Sequence, residues 1–307
     1  MKPPRFAYHA PATVEQALGL LAGYGDQSKV LAGGQSLFPV LSFRLAAPEH
    51  LIDINRLPGL GSLERTASGW RIPALVRQRQ AERSAELAAS APLLTEAVAQ
   101  VAHPQIRNRG TICGSLAHAD SSAEMPAVML ALDARMTIAS KAGTRTVSAD
   151  DFFVFHMTTA VEPHELLLAV EFDDAPPRTY TSFVEFAHRK GDFCLAGVAV
   201  TATFSDDGTV ARSRVVAAGV SPTPLRLRPV EDLVAGSSLD AAVLAAAQHT
   251  AAGAVTPVGD VHADAAYRRQ LAGVLVRRAL SAVNAKADSG GGRPGSSTGT
   301  KEEDNGA

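Results

Sequence analysis

Two glycine-bearing stretches, Ala32-Gly33-Gly34-Gln35-Ser36 and Thr111-Ile112-Cys113-Gly114-Ser115, have the residue types that hold phosphate. Glycines in series let the backbone approach an anion closely and turn several N–H groups toward it, so a loop can bind a diphosphate with few charged side chains. Together the two stretches look like a cradle of two loops closing on one dinucleotide pyrophosphate. Neither is a Rossmann fingerprint. Ser36 is placed to cap the helix that follows or to donate to a phosphate oxygen, and Gln35 adds a neutral donor. Taken alone, the Gly33-Gly34 pair is also consistent with a tight turn between a strand and a helix.

Cations flank the second stretch. Arg107 and Arg109 lie close to the expected diphosphate, but an ion pair with a neighbouring acid or a solvated face accounts for either of them equally well. His118, Asp120 and Glu124 follow at a spacing that could suggest a metal cluster, yet the cysteine and histidine partners that would complete one are missing. Gly290, Gly292 and Gly295 satisfy G-x-G-x-x-G literally, but no strand precedes them and no helix follows, so the pattern fails the context that gives it meaning.

The elements that must position these stretches can be read from spacing. Thr13 caps a first helix with apolar residues at Val14, Leu18 and Leu21, ending near Gly23 and Gly25. Lys29 to Leu31 is a short strand delivering the first loop, Phe38 to Leu45 a helix stopped before Pro48, and Leu51 to Ile54 another strand. Pro58 with Gly59 and Gly61 marks the passage into a second lobe. There a strand at Gly69 to Ile72 leads to helices at Arg77 to Ala88 and Pro92 to Ala102, and then to the second loop. Ser121-Ser122-Ala123-Glu124 has the capping-box pattern, with Met125, Val128, Met129 and Leu132 on one helical face behind it. Strands are expected at Met136 to Ser140, Arg145 to Val147 and Leu166 to Phe172.

Pro176-Pro177 is the best boundary. Beyond it lie three strands, Tyr180 to His188, Gly197 to Phe204 and Val210 to Gly219, and two helices, Leu239 to Ala252 and His262 to Ala285. The expected organisation is a lobe over residues 1–57, a second lobe over 58–177, an α+β domain over 178–286 and a disordered polar tail over 287–307. The fold class is α+β.

At 307 residues the chain can bury two modest cores, and 46% hydrophobic with 20% charged residues is ordinary for a globular protein. A formal charge of −2 supplies no basic field, which argues against a nucleic-acid partner. No apolar leader and no run of membrane-spanning length occurs, so a cytoplasmic protein without a membrane span is expected. The two cysteines, Cys113 and Cys194, are too few for the four thiolates that usually hold an iron–sulfur cluster, so any cluster must sit on another chain.

Three ordered segments carry a resemblance. Ala32 to Leu37, Ile106 to Asp120 and Tyr267-Arg268-Arg269-Gln270-Leu271-Ala272-Gly273-Val274-Leu275-Val276-Arg277-Arg278 are similar to the FAD-binding medium subunit of molybdenum hydroxylases, the family of aerobic carbon monoxide dehydrogenase and xanthine dehydrogenase. The likeness covers residues 1 to about 285. It implies a two-lobed FAD-binding domain of the vanillyl-alcohol-oxidase-like kind followed by an α+β domain with a three-stranded antiparallel sheet and helices. It also implies that Leu31 to Leu37 and Thr111 to Ser115 line the FAD diphosphate and ribityl region. Asp120 belongs to the same cofactor-binding set. Glu124 takes the place of an acidic FAD contact, in competition with its capping role, and Leu167 matches an apolar flavin-side position. Phe193, in Gly191-Asp192-Phe193, is placed to stack on or shield the flavin; a core aromatic is its other reading. Cys113 stands where the commonest family form has glycine, so its side chain narrows the backbone approach unless the local φ is negative. Cys194 is expected to be a small buried filler.

The function implied is an electron-transferring flavoprotein subunit with no catalytic base or nucleophile of its own. A large subunit would carry the molybdopterin, a small one the 2Fe–2S clusters, and an external acceptor would take the electrons, in a dimer of heterotrimers. A standalone FAD-dependent oxidoreductase of the same fold and a scaffold without flavin are the alternatives. In the third segment Leu271, Val274 and Leu275 form an apolar face, and Arg268, Arg269, Arg277 and Arg278 crowd the remainder.

Overall fold

The computed structural model describes residues 2–289. In the first lobe the strands Ala7–His9, Ser28–Leu31 and His50–Asp53 form a parallel sheet with the third strand in the middle. Thr13 caps the helix Val14–Tyr24 by accepting the Gln16 N–H at 3.2 Å, and Gly25, at φ +49°, ends it. The helix after the first glycine stretch is Leu37–Ser42, shorter than the spacing suggests, because Arg44 at φ +57° turns the chain before Leu45.

The second lobe is a five-stranded antiparallel sheet in the order Glu64–Arg65, Gly69–Pro73, Leu166–Asp173, Arg135–Ser140, Gly143–Ser148. The single helix expected over Arg77 to Ala88 is two, Gln78–Arg83 and Ala85–Ser90. They break at Ser84, whose backbone is extended and whose hydroxyl accepts the Leu87 N–H at 3.2 Å. A serine inside a helical pattern competes for backbone donors and does better as a cap than as an interior residue. The helix expected to reach Ala102 stops at Val98. Helix Glu124–Ala131 is buried at every residue rather than along one face, because it is sandwiched between the lobe and the next sheet.

That next sheet has four antiparallel strands, Thr179–Phe186, Ala196–Phe204, Val210–Ala218 and a two-residue edge, Leu225–Arg226, that the expected three-stranded reading missed. Period-two alternation sends Val198, Val200, Val215 and Ala217 toward the C-terminal helices. It sends Ala199, Val216 and Ala218 into the core shared by both lobes. Both faces are therefore covered, which is why Ala196–Phe204 reads as a nearly unbroken apolar run.

The covering helices are Arg228–Val234, Ala241–Ala254, capped by Asp240, and Ala265–Ser289. The last extends three residues past the expected boundary at 286, with Ala287 buried; Gly290, Gly292, Gly295 and the rest of the expected tail lie outside the described residues. Arg268, expected on the solvent face, points inward: it is 5% exposed and donates to the carbonyls of Leu195 at 2.7 Å and Gly219 at 3.2 Å and to Asp260 at 2.7 Å. Among the described residues no helix is long and apolar enough to cross a membrane.

The long helix crosses Ala241–Ala254 at Gly273, where an added Cβ would stand 2.6 Å from the Gln248 carbonyl oxygen and 3.3 Å from the Ala252 Cβ. Gly273→Val is expected to wedge the pair apart and cost about 1–3 kcal/mol. Gly253→Ala on the partner helix, where a Cβ meets nothing within 4 Å, should gain about 0.5–1 kcal/mol. Thermal unfolding of the two variants checks both signs.

Candidate functional site

The first stretch leaves the parallel sheet at Leu31, which is 7% exposed and whose carbonyl accepts the Ile54 N–H at 3.0 Å. Ala32 to Ser36 then run along the seam between the lobes. A Cβ on Gly33 would lie 2.5 Å from the Arg109 carbonyl oxygen and 2.8 Å from the Gly110 Cα, so only glycine permits this close approach. Gly34 has φ +74°, and Gln35 Nε2 donates to the Gly33 carbonyl at 3.0 Å. Ser36 does not cap its helix with its side chain. Among the described residues no acceptor takes the N–H groups of Gly33, Gly34, Gln35, Ser36 or Leu37, a row of donors that suits an anionic group.

The second stretch is not a loop. Thr111 is the cap of helix Ile112–His118, accepting the Gly114 N–H at 2.9 Å. Gly114 is needed because a Cβ there would sit 2.5 Å from the Thr111 Oγ1, and the position of that Cβ lies 4.0 Å from the Ala32 Cβ, which brings the two stretches into contact. Cys113 turns away from the seam. It is 2% exposed, its thiol donates to the Ile72 carbonyl at 3.4 Å, and burial pushes it up to about 12. The Cys113 side chain therefore does not narrow the seam between the two stretches. Ser115, two residues further along the helix, is half-buried.

Arg107 is a peg, not a ligand: it is buried, forks onto Glu82 at 2.9 and 3.0 Å and donates to the Val101 carbonyl at 2.6 Å. Asp120 accepts the Ser122 N–H at 2.9 Å in a turn that postpones the next helix. In consequence Ala123 becomes the N-cap and Glu124 the first helical residue, so the capping box does not form. Ser121 instead lies 3.4 Å from the His156 Nδ1. Glu124 is 7% exposed. Burial, reinforced by the charges of Glu185 and Asp120, raises its carboxyl to about 8 against its own backbone N–H and Arg107. It is the protonated acid at neutral pH.

Leu167 is 4% exposed and lies within the main core, on the strand that supports helix Ile112–His118. Phe193 is 64% exposed, which removes the core reading. It stands on the loop joining Thr179–Phe186 to Ala196–Phe204. Gly191, at φ +90°, lays that loop on Ala102 and His103, where an added Cβ would come within 2.8 Å of both. Cys194 beside it is buried, donates to the Ser122 carbonyl at 3.2 Å and has its thiol raised by burial.

Two residues of the seam have no signature in the sequence. Asn55 Nδ2 donates to the Ala32 carbonyl at 2.8 Å, and Arg77 reaches Asn55 at 2.6 Å and the Arg109 carbonyl at 2.5 Å. Asn55 lies in no glycine stretch or expected element and Arg77 only opens an expected helix, and it is the pairing of the lobes that brings them together. Taken as a whole, the bare backbone where Gly33 meets Arg109 and Gly110 and the row of free N–H donors beside it fit the diphosphate of a dinucleotide.

Residues 4–173 match the FAD binding domain in molybdopterin dehydrogenase, and residues 181–283 match the CO dehydrogenase flavoprotein C-terminal domain. The chain is 42% identical over 281 residues to the 6-hydroxypseudooxynicotine dehydrogenase complex subunit alpha of Paenarthrobacter nicotinovorans, covering 92% of this chain and 95% of that one. Its fold agrees with a solved carbon monoxide dehydrogenase of Hydrogenophaga pseudoflava lacking the Mo-pyranopterin moiety, at a TM-score of 0.90 and 37% identity, over 93% of this chain and 99% of that one. The quinoline 2-oxidoreductase of Pseudomonas putida 86 agrees at a TM-score of 0.88 and 35% identity, over 94% and 99%. The chain belongs to the FAD-binding flavoprotein subunits of the molybdenum hydroxylase family, an oxidoreductase component of the carbon monoxide dehydrogenase and xanthine dehydrogenase type.

Proposed function

We propose that this chain is the electron outlet of a cytoplasmic molybdenum-containing dehydrogenase: electrons arrive from 2Fe–2S clusters on a small partner subunit and leave for an external acceptor. FAD, when bound, supplies the two-electron store this requires. The observation that carries the reading is the meeting of Ala32–Gly34 with Arg109–Gly114 across the two lobes, bare backbone against bare backbone. The proposed FAD-binding set is Leu31, Ala32, Gly33, Gly34, Gln35, Ser36 and Leu37 from one lobe. From the other come Thr111, Ile112, Cys113, Gly114, Ser115, Asp120, Glu124 and Leu167, with Phe193 brought in by the C-terminal domain.

Both cysteines support the assignment of clusters to another chain. They are buried and their thiols are raised, so neither offers an accessible thiolate. The relatives are named for carbon monoxide, 6-hydroxypseudooxynicotine and quinoline while sharing this fold, which agrees with substrate recognition residing on a molybdopterin-bearing large subunit. A dimer of heterotrimers is the assembly this division suggests. Within the chain the residues bind and orient the cofactor, and Glu124, protonated at neutral pH, can donate a hydrogen bond where an ionised acid could only accept.

The full chain should bind FAD and turn yellow, with flavin reduction by substrate only after the partner subunits are added. Gly33→Asp thrusts a carboxylate into the seam and should weaken FAD binding by roughly a hundredfold or more, the equivalent of about 3 kcal/mol. Unchanged flavin retention on gel filtration, or substrate turnover by the isolated chain, would refute the proposal.

Glu124 generates a pH dependence of known sign. The folded carboxyl keeps its proton up to about pH 8, whereas its ordinary value is 4.5. Between the two the unfolded chain binds fewer protons, so this contribution to stability is complete below the lower value and is lost as the pH rises to the upper. The loss is about 1 kcal/mol per pH unit. Glu185, raised by burial to about 7, adds the same sign. In Glu124→Gln the unfolding midpoint of the apo chain should fall less between about pH 5 and about pH 8 than it does in the wild type; equal slopes would show that Glu124 is ionised in the folded state.

A further inference from the structure

One line of side-chain hydrogen bonds runs from the first strand to the second glycine stretch. The Tyr8 hydroxyl donates to Asp53 Oδ2 at 2.6 Å. Asp53 Oδ1 accepts from the backbone N–H of Asn55 at 2.9 Å and from its Nδ2 at 2.6 Å. The same Nδ2 donates to the Ala32 carbonyl at 2.8 Å, and Asn55 Oδ1 accepts from Arg77 Nη2 at 2.6 Å. Arg77 Nη1 then reaches the Arg109 carbonyl at 2.5 Å. The line thus holds two backbone carbonyls, that of Ala32 in the first glycine stretch and that of Arg109 two residues before the second.

We propose that Asn55 and Arg77 are positioning residues that clamp the two lobes at the width the FAD diphosphate requires, without touching the cofactor themselves. The proposal rests on the FAD-cradle reading above. The chemistry of the line admits few substitutes. Asp53 can only accept and Arg77 can only donate, so the residue between them must donate on one side and accept on the other, and an amide does both. Its orientation is thereby settled: Nδ2 toward Asp53 and Ala32, Oδ1 toward Arg77. The guanidinium is needed for its fork, because two separate donors must reach Asn55 and Arg109 at once. Both ends being engaged, Arg77 holds the seam rather than the ligand.

The backbone around Arg77 is fixed independently of its side chain. Gln78 N–H donates to the Gly110 carbonyl at 2.9 Å and Ile112 N–H to the Val76 carbonyl at 3.2 Å, a short antiparallel pairing of Arg77 with Thr111. Substituting the side chain therefore leaves the second lobe's backbone pairing in place and removes the link to Asn55 in the first lobe together with the bond to the Arg109 carbonyl. In the other lobe the parallel sheet carries Asp53 in register with Leu31, which keeps Asn55 beside Ala32.

The test uses the full apo chain titrated with FAD and, separately, with ADP, which bears the diphosphate without the flavin. In Asn55→Asp an acceptor replaces the donor that faces Ala32 and Asp53. In Arg77→Lys the charge stays but the fork is lost. Both should weaken FAD and ADP by about ten- to a hundredfold; the apo unfolding midpoint should stay near that of the wild type in Arg77→Lys and fall in Asn55→Asp, whose new carboxylate faces Asp53. Tyr8→Phe, at the exposed far end of the line, should weaken FAD by about two- to fivefold, and it decides the matter should Asn55→Asp fail to fold. Wild-type affinity in Arg77→Lys would mean that charge alone acts and would overturn the clamp, as would FAD affinities within about twofold of wild type in the variants that fold. A wild-type chain that binds no FAD would instead overturn the cradle reading itself.

Discussion

The carbonyl oxygen of Arg109 occupies the place where any side chain on Gly33 would begin, so at this point the two lobes meet as naked backbone. The rest of the site depends on that contact. It sets Ala32 beside Gly114, next to the run Gly33 to Leu37 whose N–H groups are taken by no acceptor among the described residues. The turn of helix Ile112–His118, fixed by the Thr111 cap, sends Cys113 inward to the Ile72 carbonyl. A backbone contact of this kind has little tolerance, since adding one carbon creates an overlap with backbone that no rotamer change can relieve.

Buried arginines do much of the remaining fixing, and each does it through carbonyl groups as well as carboxylates. Arg107 ties Glu82 to the Val101 and Ala102 carbonyls just ahead of the second stretch. Arg268 ties Asp260 to the Leu195 and Gly219 carbonyls, next to the loop that presents Phe193. A guanidinium has five donors in a rigid fork, and burying one is tolerable only where several acceptors converge, so each of these side chains specifies one arrangement of the loops around it. The C-terminal sheet, apolar on both faces, completes the assembly by packing one face on helix Glu124–Ala131 and the other on Ala265–Ser289. The loop that presents Phe193 is thus carried on the same packing that joins the two domains.

Local patterns were legible where a short stretch decides its own conformation. The Thr13 cap, the strand Ser28–Leu31 feeding a glycine loop, and the alternating strands from Gly69–Pro73 to Val210–Ala218 all follow from residue types and spacing. The errors fell where a neighbour outvoted the pattern. Ser121 and Glu124 have capping-box spacing, but the Asp120 turn uses up the preceding residues and shifts the helix start to Glu124. Arg268 sits among other arginines at helical spacing, yet the Leu195 and Gly219 carbonyls draw it inside. The Leu225–Arg226 edge is too short for any periodicity to reveal.

By itself the sequence determined which segments bear bare backbone and that the chain lacks thiolates for a cluster of its own, because glycine's missing side chain and a cysteine count are properties of composition. Through its family likeness it also pointed to the cofactor. Only the tertiary structure decided that Gly33 and Gly114 share one seam, that Cys113 faces the core and Phe193 the solvent, and that Asn55 and Arg77 join the lobes. Direction and proximity across more than twenty residues come from the packing of whole sheets, and spacing along a chain carries no record of which carbonyl will lie opposite which donor.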